Sequence, residues 1–426
     1  MIDPNHKPRM ALVKIKLTTN ELRLGMYVAE LDRPWLESPF LFQGFLIEAE
    51  DDLARLREVS RFVFVDDLRS SQATDVQAVL QQSLSRIHAG RVRKITVEFE
   101  EWKGAARLRD TLARLKDTVE TTRERLGNVL ESSRQGQAVS QEAASEVVGG
   151  LVEAVQRDPQ NAQWMTLMRS QNEHIASHCM NVSVMAINFA RHLGWNEDLQ
   201  RVVGAGGMLH DIGMSRVPQW LLDKPGTLSR AEFELMRKHS AYAAGLLASD
   251  EQHDPRVVEI VRWHHERLDG SGYPDGLRGG QILPHVQLVS VVDAYESMIT
   301  VKPYEAALSP SVALTRLHKR VGSHFSRELV ESFIRHLGIY PLSSLVRLVN
   351  GNLGIVVSSQ ESNRLKPVLL LVRDPAGKLV WPRKMVNLAG FEARGVQGGW
   401  SIDRIVDPDS VDIDVQKILI EEFMMR

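Results

Sequence analysis

The chain has 426 residues, 43% hydrophobic and 25% charged, which is too long for one ordinary core and has the balance of folded domains, not of disordered or fibrous protein. Its 52 basic and 54 acidic residues leave a formal charge of -2, so no overall field draws it to a nucleic acid polymer or an anionic membrane, and any anion must be bound locally. Cys179 is the only cysteine, which excludes an internal disulfide and a multi-cysteine zinc cage; a metal site must be built from His and carboxylates.

The opening MIDPNHKPRM has no apolar run of the secretory kind, and no stretch of about 18 apolar residues follows, so the expectation is a soluble cytoplasmic protein that does not enter a membrane. From Val13 to Asp67, short alternating runs (VKIKL, GMYVAEL, FLFQGFLI, RFVFVDD) surround one helical segment near Asp51 to Val59, which predicts a small α/β or mostly β domain over 1–70. Residues 71–150 turn to Gln, Ser, Arg, Glu and Ala with helical spacing, as in ARLRDTLARLKDTVETTRERL, and read as a charged helical linker. Residues 151–340 are helical throughout, with apolar positions three and four apart, so an all-α bundle is expected there. After Pro341 strand-like alternation returns in LVRLV, LGIVVSS, KPVLLLVRD and KLVWP, a small β extension over 341–426. The fold class is therefore mainly α, a central bundle with a small domain before it and strands after it.

Nine of the 14 histidines fall between His174 and His285. His174 and His178 lie four apart on a helix and share a face. His210 and Asp211 end an apolar helix; His239 follows in MRKHS; His264 and His265 are adjacent; and Asp293 sits inside QLVSVVDAYESM, where an unpaired carboxylate is costly to bury. A single histidine is ordinarily a hydrogen-bonded core or surface residue. Several on successive helices, joined by two aspartates, instead match the way bundles build two-metal centres. Imidazole and carboxylate without thiolate suit Fe, Mn or Zn, and spacing does not choose among them.

LHDIG, LLDKPGTLS, KHS, HHERLDGSGYPDGLRG and VVDAYES followed by KPY together resemble the HD-GYP family of cyclic di-GMP phosphodiesterases, over about Leu151 to Tyr340. The segment ELRLGMYVAELDRPWLESPFLFQGFLI resembles the domain of unknown function that precedes many HD-GYP domains. The resemblance implies an HD-type bundle, metal ligation by His178, His210, Asp211, His239, His264, His265 and Asp293, and hydrolysis to pGpG or GMP by a metal-activated water at His210 and Asp211. It implies two divalent metals, Fe or Mn ahead of Zn, with Glu173 or His174 at the place where some members hold a third; two are expected here.

The same resemblance puts Arg267, Gly272, Tyr273, Pro274, Met214 and Lys302 at the substrate, and offers the GYP loop as a surface for a diguanylate cyclase or another signalling protein. A homodimer is a further expectation. Three positions depart from the family: Met214 where Lys is usual, Lys302 where Arg is usual, and Glu305 where a basic residue is common. Either binding is weakened, or Arg216, Lys224 or Arg267 supplies the missing charge. Two other readings stand beside the enzyme: a catalytically weak receptor or scaffold for cyclic di-GMP or a protein partner, and an HD phosphohydrolase of another nucleotide.

Overall fold

The computed structural model describes residues 14–32, 38, 40, 45–66, 70–71, 73, 76–80, 104–137, 139–168, 174–300, 307–358, 365–393 and 399–424. The chain divides into two units, Met1–Glu98 and Phe99–Arg426. In the first, strands β1 (Lys14–Thr18), β2 (Tyr27–Leu31), β3 (Phe45–Leu46) and β4 (Phe62–Asp66) form an antiparallel sheet in the order β1-β4-β2-β3, with helix α1 (Glu50–Val59) between β3 and β4. Alternation sets its core: Ile15, Leu17, Val28, Val63 and Val65 are buried, and so are Leu53 and Leu56 of α1.

The second unit begins with α2 (Ala105–Arg134) and α3 (Gln141–Arg157). On α2, Leu108, Leu112, Leu115, Val119 and Leu126 form a buried stripe under an otherwise charged surface. Its last turn reaches the bundle, where Ser133 Oγ lies 2.8 Å from Ser215 Oγ. The bundle proper comprises α4 (His174–His192), α5 (Glu197–Leu209), α6 (Gln219–Leu222), α7 (Arg230–Met236), α8 (Lys238–Ala248), α9 (Pro255–Trp263), α10 (Pro284–Ile299), α11 (Pro310–His318) and α12 (Arg327–Leu337). Local chemistry starts these helices where the sequence says they should start. Asn196 and Asp254 cap α5 and α9 through their side chains, and α9 and α10 each carry a proline in the first turn.

Strands β5 (Leu345–Leu348), β6 (Leu353–Ser358), β7 (Val368–Arg373), β8 (Leu379–Asn387) and β9 (Ile402–Ile405) make an antiparallel sheet ordered β8-β7-β6-β5-β9, accompanied by helices α13 (Leu388–Ala393) and α14 (Val415–Phe423). It packs onto the bundle through Trp164, which is buried, donates Nε1–H to the Val357 carbonyl at 3.2 Å and meets Phe423 edge-on. Among the described residues no helix is long and apolar enough to cross a membrane.

Candidate metal centre

Three of the imidazoles are aimed by one device. A helix end leaves carbonyls without an intrahelical partner, and a histidine there can claim one. His210 caps α5 and donates Nδ1–H to Gly207 O at 2.8 Å; His264 caps α9 and donates to Val261 O at 2.9 Å; His239, just past the end of α7, donates to Met236 O at 2.7 Å. His178 lies within α4, where the carbonyls are already used. Its Nδ1 is bonded instead to Glu296 of α10. Glu296 is buried and held in turn by Asn181 Nδ2 and Thr300 Oγ1, both donating to Oε1, at 2.7 and 2.6 Å.

With every Nδ1 committed, four Nε2 atoms face one another. His178 and His210 approach to 3.2 Å, and His239 and His264 to 3.4 Å. Bare lone pairs at such distances repel unless a proton or a cation lies between them. Asp211 stands between the two pairs: Oδ2 is 3.7 Å from His178 Nε2 and 3.5 Å from His210 Nε2, while Oδ1 is 3.3 Å from His239 Nε2 and 3.9 Å from His264 Nε2. Oδ1 is buried and makes no hydrogen bond to a described residue. Asp293 Oδ1 closes on the first pair, 3.2 Å from His178 Nε2 and 3.8 Å from His210 Nε2.

The donors thus fall into two groups that share Asp211: His178, His210 and Asp211, and Asp211, His239, His264 and His265, each with its ligand atoms within 4.8 Å of one another. The donor set, its fixed tautomers and the orphaned carboxylate oxygen all fit divalent cations.

Taken by themselves, the side chains share out protons under strong constraint. Burial pulls the His178 imidazole down, but Glu296 and Asp293 more than offset it and hold it well above its ordinary value. Burial pushes Asp293 up, yet the bond from His178 and the nearby His210 bring it well below the usual carboxylate range. Burial, with His210 and His239 alongside, takes His264 down to about 3. Asp293 and His264 are thus arranged to stay unprotonated and face positive charge, whereas the carboxylates around His178 favour its protonated, positive form.

The GYP loop is tied to the same centre by a residue the sequence pattern left without a role. Glu266, fully buried, accepts backbone N–H bonds from Asp275 and Gly276 through Oε1, at 2.7 and 3.0 Å, and from Leu277 through Oε2 at 2.9 Å. Gly272 lies so close over the preceding turn that a Cβ there would be 2.5 Å from Arg267 N and 2.6 Å from His265 O, which only glycine permits. Tyr273 consequently lies on His265, with ring centroids 4.6 Å apart, and Pro274 follows it. Arg267 commits Nη1 to the carbonyls of His264 and Glu266, at 3.0 and 2.8 Å, with its guanidinium over the Phe325 ring.

Met214 is half-buried in the 3-10 turn after Asp211. Lys224 is held by both oxygens of Glu232 at 2.7 Å, and Arg216 is exposed. Lys302, Glu305, Glu173 and the side chain of His174 lie outside the described residues.

Glu296 was legible only as the residue three beyond Asp293 on one helix, a spacing that puts both carboxylates on one face. Replacing it with Gln tests its role. Oε1 already accepts from Asn181 and Thr300, so the amide would present N–H to a ring nitrogen that also needs to donate. We expect metal affinity to fall about 10- to 100-fold, measured by titration against a competing chelator. An unchanged affinity would show that His178 needs no such support.

Residues 162–329 match the HD domain family, and residues 14–144 match a domain of unknown function (DUF3391). A curated cyclic di-GMP phosphodiesterase of Pseudomonas aeruginosa is 32% identical over 380 residues, covering 88% of this chain and 88% of that protein. The cyclic di-GMP phosphodiesterase response regulator RpfG of Xanthomonas campestris is 28% identical over 50% of this chain and 58% of its own. Among solved structures, an HDG"Y"P protein of Bdellovibrio bacteriovorus aligns with a TM-score of 0.46 at 18% identity, over 76% of this chain and 98% of that one.

Proposed function

The chain belongs to the HD-GYP family, and from that premise we propose that it is a metal-dependent phosphodiesterase that opens cyclic di-GMP by adding water across a P–O3′ bond, giving linear pGpG and, on a second cut, GMP. The observation that carries this reading is Asp211 set between two pairs of inward-facing imidazoles.

His178, His210, Asp211 and Asp293 would hold one metal, and Asp211, His239, His264 and His265 the other, with Fe or Mn favoured over Zn by the resemblance. Two divalent cations held there would supply neutralisation of charge on the phosphoryl oxygens and a water made acidic enough to attack at neutral pH. The protein's own part is orientation and charge. Backbone carbonyls and Glu296 fix the ring tautomers of His178, His210, His239 and His264. The half-buried Arg267 guanidinium, within the field of Asp293, is the cation best placed for a substrate phosphate. The Glu266-tied loop sets Tyr273 against His265 as a wall of the site.

The test is assay of purified protein with cyclic di-GMP after loading with Fe(II) or Mn(II) under reducing conditions, with products separated by chromatography. Accumulation of pGpG or GMP is expected. Protein that takes up no metal, or takes it up and yields neither product, would sink the proposal.

Met214 favours one rival reading, a slow enzyme that acts mainly as a receptor, because it removes a cation next to Asp211. Met214→Lys is expected to tighten cyclic di-GMP binding about three- to ten-fold, less than a fully desolvated charge-assisted bond would give, since the position is half-buried. Calorimetry on the metal-loaded protein checks it, and no gain in affinity would mean that Arg267 already compensates.

A further inference from the structure

Helix α7 lies at the surface and is anchored at its start by polar ties. Ser229 and Glu232 form a capping box at its start, Lys224 bridges to Glu232 at 2.7 Å, and none of the helix's own residues is buried. Phe233 is 46% exposed on it, although folding gains nothing from a phenyl ring left in water. That ring stands edge-on to Tyr273 at 6.1 Å, and Tyr273 lies 4.6 Å from His265. Directly after the helix, Arg237 lays its guanidinium 4.8 Å from the centroid of Tyr273 and 6.0 Å from that of Phe233. A stack therefore runs outward from the centre through His265, Tyr273 and Arg237, with Phe233 at its side.

Glu234 completes the group. Its Oε1 accepts from Arg237 Nη1 at 2.8 Å and its side chain is 55% exposed; Oε2 makes no hydrogen bond to a described residue. A planar cation and an open aromatic ring bind the face of a flat ring system, and nucleic-acid bases are such ligands. A carboxylate at the edge adds discrimination. Guanine presents N1–H and an amino group side by side as two donors, whereas adenine presents an acceptor at N1, which a carboxylate repels.

We propose that Phe233, Glu234 and Arg237 form a guanine-reading subsite two ring contacts from the metal centre, so that one base of the substrate is selected here while its phosphate lies at the metals. The proposal rests on the cyclic di-GMP reading above. These side chains set specificity; they do not touch the reacting atoms.

The experiment is calorimetric binding of cyclic di-GMP and cyclic di-AMP to the metal-loaded full chain and to three variants, with metal content and melting midpoint measured on each. Phe233→Ala and Arg237→Ala are each expected to weaken cyclic di-GMP binding about ten-fold, the scale of one base stack. Glu234→Gln is expected to narrow the preference for cyclic di-GMP over cyclic di-AMP by about ten-fold, with metal content unchanged. Affinities within about two-fold of the parent in all three variants would overturn the subsite, since one stack is worth more than that. So would a loss of metal that parallels the loss of binding, because the residues would then be structural. If the parent protein itself binds no cyclic di-GMP, the proposed activity fails first and the subsite falls with it.

Discussion

Asp211→Ala is expected to remove phosphodiesterase activity and bound metal together while leaving the helical content unchanged. Both donor groups use this one carboxylate, and among the described residues it is the one ligand that the two groups share. Loss of a group that merely orients a ligand costs about 10- to 100-fold, so loss of a ligand shared by two metals should exceed that range. Asp211→Asn separates charge from shape, because it keeps the volume and removes the anion; it should fail almost as completely. The fold should persist because the surrounding apolar contacts of α4, α5 and α10, such as Val182, Leu209 and Val292, do not involve the side chain. Elemental analysis, turnover and circular dichroism decide it. Normal metal content with turnover inside about ten-fold of the parent would mean that Asp211 is not a ligand.

How far the sequence revealed this centre depends on how each side chain is oriented. His210, His239 and His264 each donate Nδ1–H to a carbonyl three residues back, so what orients these rings is local to the segments in which the sequence pattern singled them out. His178 relies on Glu296, 118 residues away, and no periodicity in α4 contains that partner. Glu266 was visible as the third letter of HHE, but its work depends on the loop folding back over it, and that fold is set by Gly272.

The strands of the first sheet were legible from alternation, as in FVFVD, where Val63 and Val65 are buried between more exposed phenylalanines; β6 and β7 showed as continuous apolar runs, buried along nearly their whole length, and β9, four residues with two charges, was passed over. The spacing in ARLRDTLARLKDTVETTRERL showed that α2 is a helix; it did not show that Ser133 at its end meets Ser215 beside the metal-binding turn, because helical periodicity describes a face and not its neighbour. Helix α14 was passed over because nine residues give too short a pattern, and its placement is secured by Phe423 against the distant Trp164.

A second large effect is expected from one carbon atom. In Gly213→Ala the new Cβ would be 2.0 Å from the His239 carbonyl oxygen and 2.6 Å from Ala243 N, both main-chain atoms of α8, where ordinary contact begins near 3.4 Å. No rotamer relieves this, because alanine has none and the atoms it meets are backbone. Helix α8 has to retreat by more than an ångström, and it carries His239, whose Nε2 lies 3.3 Å from Asp211 Oδ1. Stability and metal binding should therefore fall together, by about 3–5 kcal/mol for the first, among the larger effects of a single substitution, and a melting midpoint lower by about 10 °C. Gly245→Ala, on the same helix, is the control. That position is exposed with no atom within 4 Å of a built Cβ, so alanine there relieves only glycine's backbone entropy and should raise stability by about 0.5–1 kcal/mol. Thermal melts and metal titrations of the two variants give the comparison. A Gly213→Ala protein that melts with the parent and retains its metal would show that α8 can withdraw freely, and that its approach to the Asp211 turn does not set the geometry of the centre.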